Sequence, residues 1–91
     1  MTRAEFEAEL ARDGYEVREG EIKPDVHRDA HAHEFDARVL VLDGSITLVF
    51  GKDRVTYGPG DSCSVPAETM HEEHTDGAGV RYVSGRRSVA K

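Results

Sequence analysis

HAHEFDARVLVLDG, residues 31–44, is the stretch whose reading decides the fold. Side chains at i and i+2 of a β-strand point to the same face. His31 and His33 therefore present two imidazoles side by side, and Phe35, Val39 and Val41 share their parity. The run reads as a strand whose inner face begins with metal-binding side chains and continues as apolar interior. Asp43-Gly44 follows, with the apolar run Ile46–Phe50 beyond it, and Asp-Gly between two such runs predicts a two-residue hairpin. Two imidazoles so spaced can grip one metal ion. A third from a neighbouring strand, His71, would complete a facial set and leave the opposite positions open to a small molecule.

Turn signals punctuate the rest of the chain at short, regular intervals: Gly51-Lys52-Asp53, Gly58-Pro59-Gly60-Asp61, Pro66–Thr69 and Asp76–Gly79. Between them lie Val55-Thr56-Tyr57, Cys63-Ser64-Val65, the strand of His71, and Val80–Val83. Short strands at this spacing predict an all-β sandwich or barrel. Tyr15, Val17 and Ile22 sit among charges as edge-strand material, and Pro24 bars a central strand nearby. Upstream, residues 2–12 read as a short helix. Thr2 and Glu5 have capping-box spacing, Phe6 and Leu10 share a face, and Gly14 ends it. The expected organisation is a helix over 1–13, a barrel over 14–85 and a flexible tail over 86–91.

The chain has 91 residues, enough for one domain with a thin core. Its net charge of -6 argues against nucleic acid as a partner, and against anionic membrane surfaces for the same reason. No apolar stretch approaches the ~20 residues that span a bilayer. The N-terminal MTRAEFEAEL carries acids where a signal peptide needs an apolar run, so a cytoplasmic location is expected. Cys63 stands alone, which excludes an intrachain disulfide and fits a buried, inert thiol.

Taken together, these residues resemble the cupin superfamily, specifically its small single-domain bacterial members. The family's first motif is His-x-His, three or four residues, Glu, six residues, Gly; here His31-x-His33 is followed at the right distance by Gly44. The second motif is Gly, five residues, Pro-x-Gly, two residues, His, three residues, Asn. Here Gly60, Pro66 and His71 match, with Glu68 in place of the second Gly and Thr75 in place of Asn. The resemblance runs from about Val26 to Val83. It implies a double-stranded β-helix (jelly-roll) barrel, here preceded by the short helix. It also implies one divalent transition-metal ion held by His31, His33 and His71, with Fe(II) the first choice and Zn, Ni, Cu or Mn as alternatives.

The family's Glu ligand falls on Ala37 in this chain. Its neighbour Asp36 points outward by strand alternation unless a β-bulge re-aims it. The direct reading is a three-His site without the carboxylate, which leaves the ion its full charge and favours an anionic or chelating substrate. Such a site resembles those of thiol dioxygenases and β-diketone-cleaving dioxygenases. Glu73, two residues past His71, is the inward candidate for the catalytic acid/base, for a group that orients an imidazole, or for a replacement ligand. Glu72, His74 and Arg38 should face outward, and His27 should lie at the surface. Arg81, Arg86 and Arg87 read as solvated or interfacial, and Met70 and Tyr57 as packing residues near the cavity. Two functions follow from different classes. One is a small metal-dependent cupin with dioxygenase-type chemistry on a small organic substrate. The other is a non-catalytic metal- or small-molecule-binding sensor. A homodimer is expected, because a barrel this small gains by pairing its exposed edges.

Overall fold

The computed structural model describes residues 1–89. Helix α1 (Arg3–Arg12) starts where the sequence says it should. The Thr2 side chain accepts from the Glu5 backbone N–H at 3.1 Å, and Glu5 Oε1 accepts from the Thr2 N–H at 3.0 Å, closing the capping box. Its end is a Schellman motif. Gly14, at φ +79°, lets its own N–H reach the Ala11 carbonyl while the Tyr15 N–H reaches that of Leu10. A ten-residue helix is marginal alone. This one is held by Phe6 and Leu10, both fully buried against the protein.

Eight strands follow: β1 (Glu16–Ile22), β2 (His27–His31), β3 (Phe35–Gly44), β4 (Ile46–Phe50), β5 (Asp53–Tyr57), β6 (Ser62–Val65), β7 (His71–His74) and β8 (Val80–Ser88). Among the described residues they form two antiparallel four-stranded sheets, in the orders β1-β8-β3-β6 and β2-β7-β4-β5. This is the jelly-roll sandwich the sequence predicts. Pro24 connects β1 and β2, each at the edge of its own sheet.

The apolar doublets of β3 and β8 serve two cores at once, because alternate residues face opposite ways. Val41 and Val80 point between the sheets, where they pack with Ile22, Ile46, Leu48 and Val65. Leu40 and Val83 point to the outer face, where Phe6 and Leu10 of α1 cover them. Gly85 permits that docking. A Cβ there would lie 2.6 Å from Leu10 Cδ2 and 3.0 Å from the Tyr15 Cβ.

Two expectations are corrected. Asp43-Gly44 does not close a hairpin, since β3 and β4 belong to different sheets. Gly44 is needed for a different reason. It sits at φ +75°, and a Cβ there would meet the Gly79 carbonyl oxygen, while the next residue, Ser45, donates to that same oxygen at 3.0 Å. The turn signal is real, but it carries the chain from one sheet to the other. The two-residue hairpin lies one step on, at Gly51-Lys52, between the paired residues Phe50 and Asp53. The second correction concerns the tail, for β8 continues through Ser88. Arg86 pairs with both Glu16 and Ala37, and Arg87 pairs with Asp36, so a frayed segment does not begin at 86. Ala90 and Lys91 lie outside the described residues.

Candidate functional site

The site is built where β2 meets β7. His31, the last residue of β2, pairs with His71, the first of β7. Register slips between Arg28 and His31, and this irregularity turns both side chains to the inner face although their spacing is odd. His33 lies past the end of β2, in the link to β3, and not on the same strand as His31. Its ring stacks on Phe35 at 4.7 Å, and its carbonyl accepts from the Glu68 N–H at 2.8 Å. Glu68 makes that bond at φ +66°, a conformation costly for any residue but glycine. The family's Gly at this place has its physical reason in that angle.

Side chains of His31, His33, His71 and Glu73 each bring one donor atom to within 4.8 Å of the others. The imidazole centroids are 4.5 Å apart for His31 and His71, 4.9 Å for His31 and His33, and 5.4 Å for His33 and His71. His71 is 3% exposed. Backbone carbonyls fix two of the rings. His31 Nδ1–H donates to Asp29 O at 2.7 Å, and His71 Nδ1–H donates to Thr69 O at 2.9 Å. With a proton fixed at Nδ1, each ring turns its Nε2 inward, the nitrogen that a ligating imidazole uses. Both Nε2 atoms face one carboxylate oxygen: Glu73 Oε2 lies 3.3 Å from His31 Nε2 and 3.1 Å from His71 Nε2. A carboxylate oxygen between two imidazole nitrogens is satisfied either by a proton on one Nε2 or by a cation among the three atoms. An ion bound at ~2.0–2.2 Å spaces its ligand atoms about 3.0–3.5 Å apart, which the two Glu73 distances match, and the whole set of donors lies within 4.8 Å, close enough to gather on a divalent ion. His33 is held below the usual imidazole range by burial and by His31 and His71 beside it, which keeps its ring in the neutral form a metal ligand needs.

The cluster opens on a cavity of about 110 Å³ lined by His33, His71 and Glu73, with Phe35, Val39, Leu48 and Tyr82 as apolar wall. Two arginines line it as well. Arg28 donates to Glu73 Oε1 at 3.2 Å, leaving Oε2 for the imidazoles. Arg86 lies 4.8 Å over the Phe35 ring. Neither was singled out from the sequence for this role. Arg86 shares parity with Tyr82 and Ser84 along β8, so a longer strand would have found it. Arg28 was hidden by the register slip. Cys63 lines the cavity too, and burial pushes its thiol up to about 11, in keeping with an inert group.

The remaining candidates fall as follows. Ala37, at the family's Glu position, lines the cavity. Asp36 is not re-aimed inward: it accepts from the Ala67 N–H at 2.9 Å and from Arg87 at 3.3 Å. Arg87 is structural, also donating to Asp13 O and lying over the Tyr15 ring. Arg38 faces outward and pairs with Glu9 of α1 at 2.9 Å. Met70 is 58% exposed and absent from the cavity wall, whereas Tyr57 packs on the inter-sheet core. Thr75 stands in for the family's Asn by bridging two strands' ends: it accepts from the Val26 N–H and donates to Lys23 O. His27, Glu72 and His74 lie on the opposite face of the β2–β7 pair, half-buried or exposed.

Among the described residues, no helix is long and apolar enough to cross a membrane. Comparison with curated proteins finds none that matches. Among solved structures, a protein of unknown function from Rhizobium leguminosarum aligns with a TM-score of 0.77 at 17% identity, covering 82% of this chain and 71% of its own. A cupin superfamily protein from Desulfitobacterium hafniense gives 0.71 at 15%, covering 82% and 68%. The DMSP lyase DddQ from Ruegeria pomeroyi gives 0.72 at 17%, covering 82% of this chain but 39% of the lyase. At these identities the likeness is one of fold. The Cupin domain family itself matches residues 15–84, from the start of β1 through the inner half of β8. With the jelly roll and the inward histidines already in place, that match assigns the chain to the cupin superfamily.

Proposed function

We propose that this cupin binds one divalent transition-metal ion through His31, His33, His71 and Glu73 and uses it on a small anionic organic molecule. The observation that carries the reading is the convergence of two Nε2 atoms on Glu73 Oε2, with both Nδ1 protons already committed to carbonyls. Glu73 then acts as the fourth donor in preference to a free acid/base, because one oxygen faces the imidazoles and Arg28 holds the other. Fe(II) remains the first choice, since three imidazoles and a carboxylate suit it and it would supply dioxygenase-type redox chemistry.

The chain's own residues bind and orient. Arg86 has no carboxylate partner among the described residues and lines the cavity that the cluster opens on, so it offers a guanidinium to an anionic group. Phe35, Val39 and Leu48 exclude water around the rest of a small ligand. One observation favours the non-catalytic alternative, a binding or sensing cupin. Beyond the cluster, the wall carries the Cys63 thiol and the Ser84 hydroxyl; a thiol at about 11 is neither a base nor a nucleophile near neutral pH, and the serine has no histidine or carboxylate bonded to it to activate it among the described residues. We also carry forward a cytoplasmic setting, where a lone thiol stays reduced. A homodimer through an exposed edge is supported by β1, an edge strand with Val17 39% exposed.

Elemental analysis of the protein purified without chelator or added metal tests the proposal, alongside His31→Ala and His71→Ala. About one equivalent of a transition metal lost in both variants supports it. Full metal content in either variant, or none in the parent, refutes it. Light scattering at twice the chain mass supports the dimer, and monomer at all concentrations refutes it.

A further inference from the structure

The strand His71-Glu72-Glu73-His74 alternates faces, and the outer face carries a second constellation. His27 of β2 and His74 of β7 are directly paired across the two strands. Their rings are stacked at 4.0 Å, 28° from parallel. Both turn Nε2 toward one oxygen of Glu72, at 2.9 Å for His27 and 3.2 Å for His74. Asp29 Oδ1 lies 3.6 Å from His27 Nε2 on the same side. We infer that His27, Glu72 and His74, with Asp29 within reach, form a second transition-metal site of zinc type on the outside of the barrel.

The donor spacing carries the inference. A tetrahedral ion with ligands at ~2.0–2.1 Å places neighbouring donors about 3.3–3.4 Å apart. His27 and His74 stand 2.9 and 3.2 Å from Glu72, and Asp29 stands 3.6 Å from His27, on either side of that value; for both Nε2 lone pairs to reach one ion, the two rings turn out of their 28° stack. Two imidazoles and a carboxylate, with an aspartate as a fourth donor, are a donor set that zinc, nickel and copper all accept. The placement also gives the ion something to do. β2 is an edge strand paired with β7 alone, yet it delivers His31 to the inner cluster. An ion on the outer face clips β2 to β7 at the His27–His74 pair, one pair along the ladder from Arg28 and Glu73.

The test is a zinc titration of metal-free full-length protein, read by calorimetry for stoichiometry and by the imidazole NMR resonances for location. Parent protein, His71→Ala and His74→Ala are compared, with the isosteric Glu72→Gln as a second outer variant and the far-UV circular dichroism of each variant checked against the parent. Two equivalents in the parent, one surviving in His71→Ala with shifts at His27 and His74, support the outer site. Its affinity should fall at least about 100-fold in His74→Ala and in Glu72→Gln, beyond the 10–100-fold typical of groups that only orient a ligand. One equivalent, lost in His71→Ala and kept in His74→Ala, overturns the outer site and leaves the inner one standing. One equivalent with the opposite pattern does the reverse. A second equivalent unaffected by both outer variants also overturns it.

Discussion

Replacing Glu73 by Gln separates a ligand from a bystander. In the metal-free protein, at a pH where the imidazoles are neutral, the carboxylate meets two Nε2 atoms at 3.1 and 3.3 Å and is held by Arg28 on its other oxygen. A glutamine amide can donate an N–H to one of those Nε2 atoms, which offsets the lost pairing with Arg28. The metal-free melting temperature of Glu73→Gln should therefore stay near the parent value or rise. With metal the sign reverses. At an ion concentration about 100 times Kd, binding adds about 2.7 kcal/mol to the parent. For a domain of this size that is about 11–22 °C. Loss of a groups that merely orients a ligand costs 10–100-fold in affinity, so loss of a direct anionic donor should cost 100-fold or more. At the same ion concentration the variant then gains about 0.4 kcal/mol or less, roughly 2–3 °C. The assay is thermal unfolding with and without the ion, in a His74→Ala background so that the outer cluster contributes nothing. A metal-induced rise in Glu73→Gln equal to that of its parent would refute the ligand assignment.

Arg86→Gln should weaken binding of a small carboxylate to the metal-loaded protein by about 10–100-fold, the range of a charge-assisted hydrogen bond; unchanged calorimetric affinity would remove Arg86 from the binding site. Glu68→Gly should raise the melting temperature by about 2–8 °C, since relief of the left-handed strain exceeds the added chain entropy by roughly 0.5–1 kcal/mol; a lower melting temperature would contradict this. Gly85→Ala should cost about 1–3 kcal/mol by overpacking against Leu10, and less in a Leu10→Ala background, by denaturant titration. Equal costs in both backgrounds would mean that helix docking does not depend on the missing Cβ. Alkylation of Cys63 should be slow at pH 7–8 and accelerate about tenfold per pH unit toward 11, because a raised thiol pKa leaves little thiolate below it; fast labelling at pH 7 would show an activated thiol.

The fold was legible in the sequence because its signals are local. Thr2, Glu5, Phe6, Leu10 and Gly14 encode the helix and both of its ends, and parity alone places Phe35, Val39 and Val41 inside. What was misread depended on partners distant in sequence. Asp43-Gly44 has the chemistry of a hairpin, but only the Gly79 carbonyl shows that it is a passage between sheets. Arg86 looked like tail because nothing local reveals that β1 and β3 flank it on both sides. At the site, the spacing of His31, His33 and His71 foretold their convergence, although His33 arrives from a link and not from the strand assumed. Arg28 could not be read, because strand parity fails across a register slip and the slip has no signature in residues 27–31.

The position of the carboxylate bears on what the cavity can hold. In the family's usual pattern Glu enters from the strand after His-x-His, and here that place is Ala37 on β3, at the cavity wall. Glu73 enters from β7, beside His71, and so comes from the opposite sheet. On our reading a donor of the same charge is supplied from the other side, and the volume of a glutamate side chain is left open at Ala37. Arg28 and Arg86 both reach that cavity, and together they give it two guanidinium groups against one carboxylate. An anionic ligand restores the balance where a neutral one does not. The same relocation explains why the sequence pattern alone suggested a site without a carboxylate: the charge is present, but it sits two residues past the third histidine instead of four past the second.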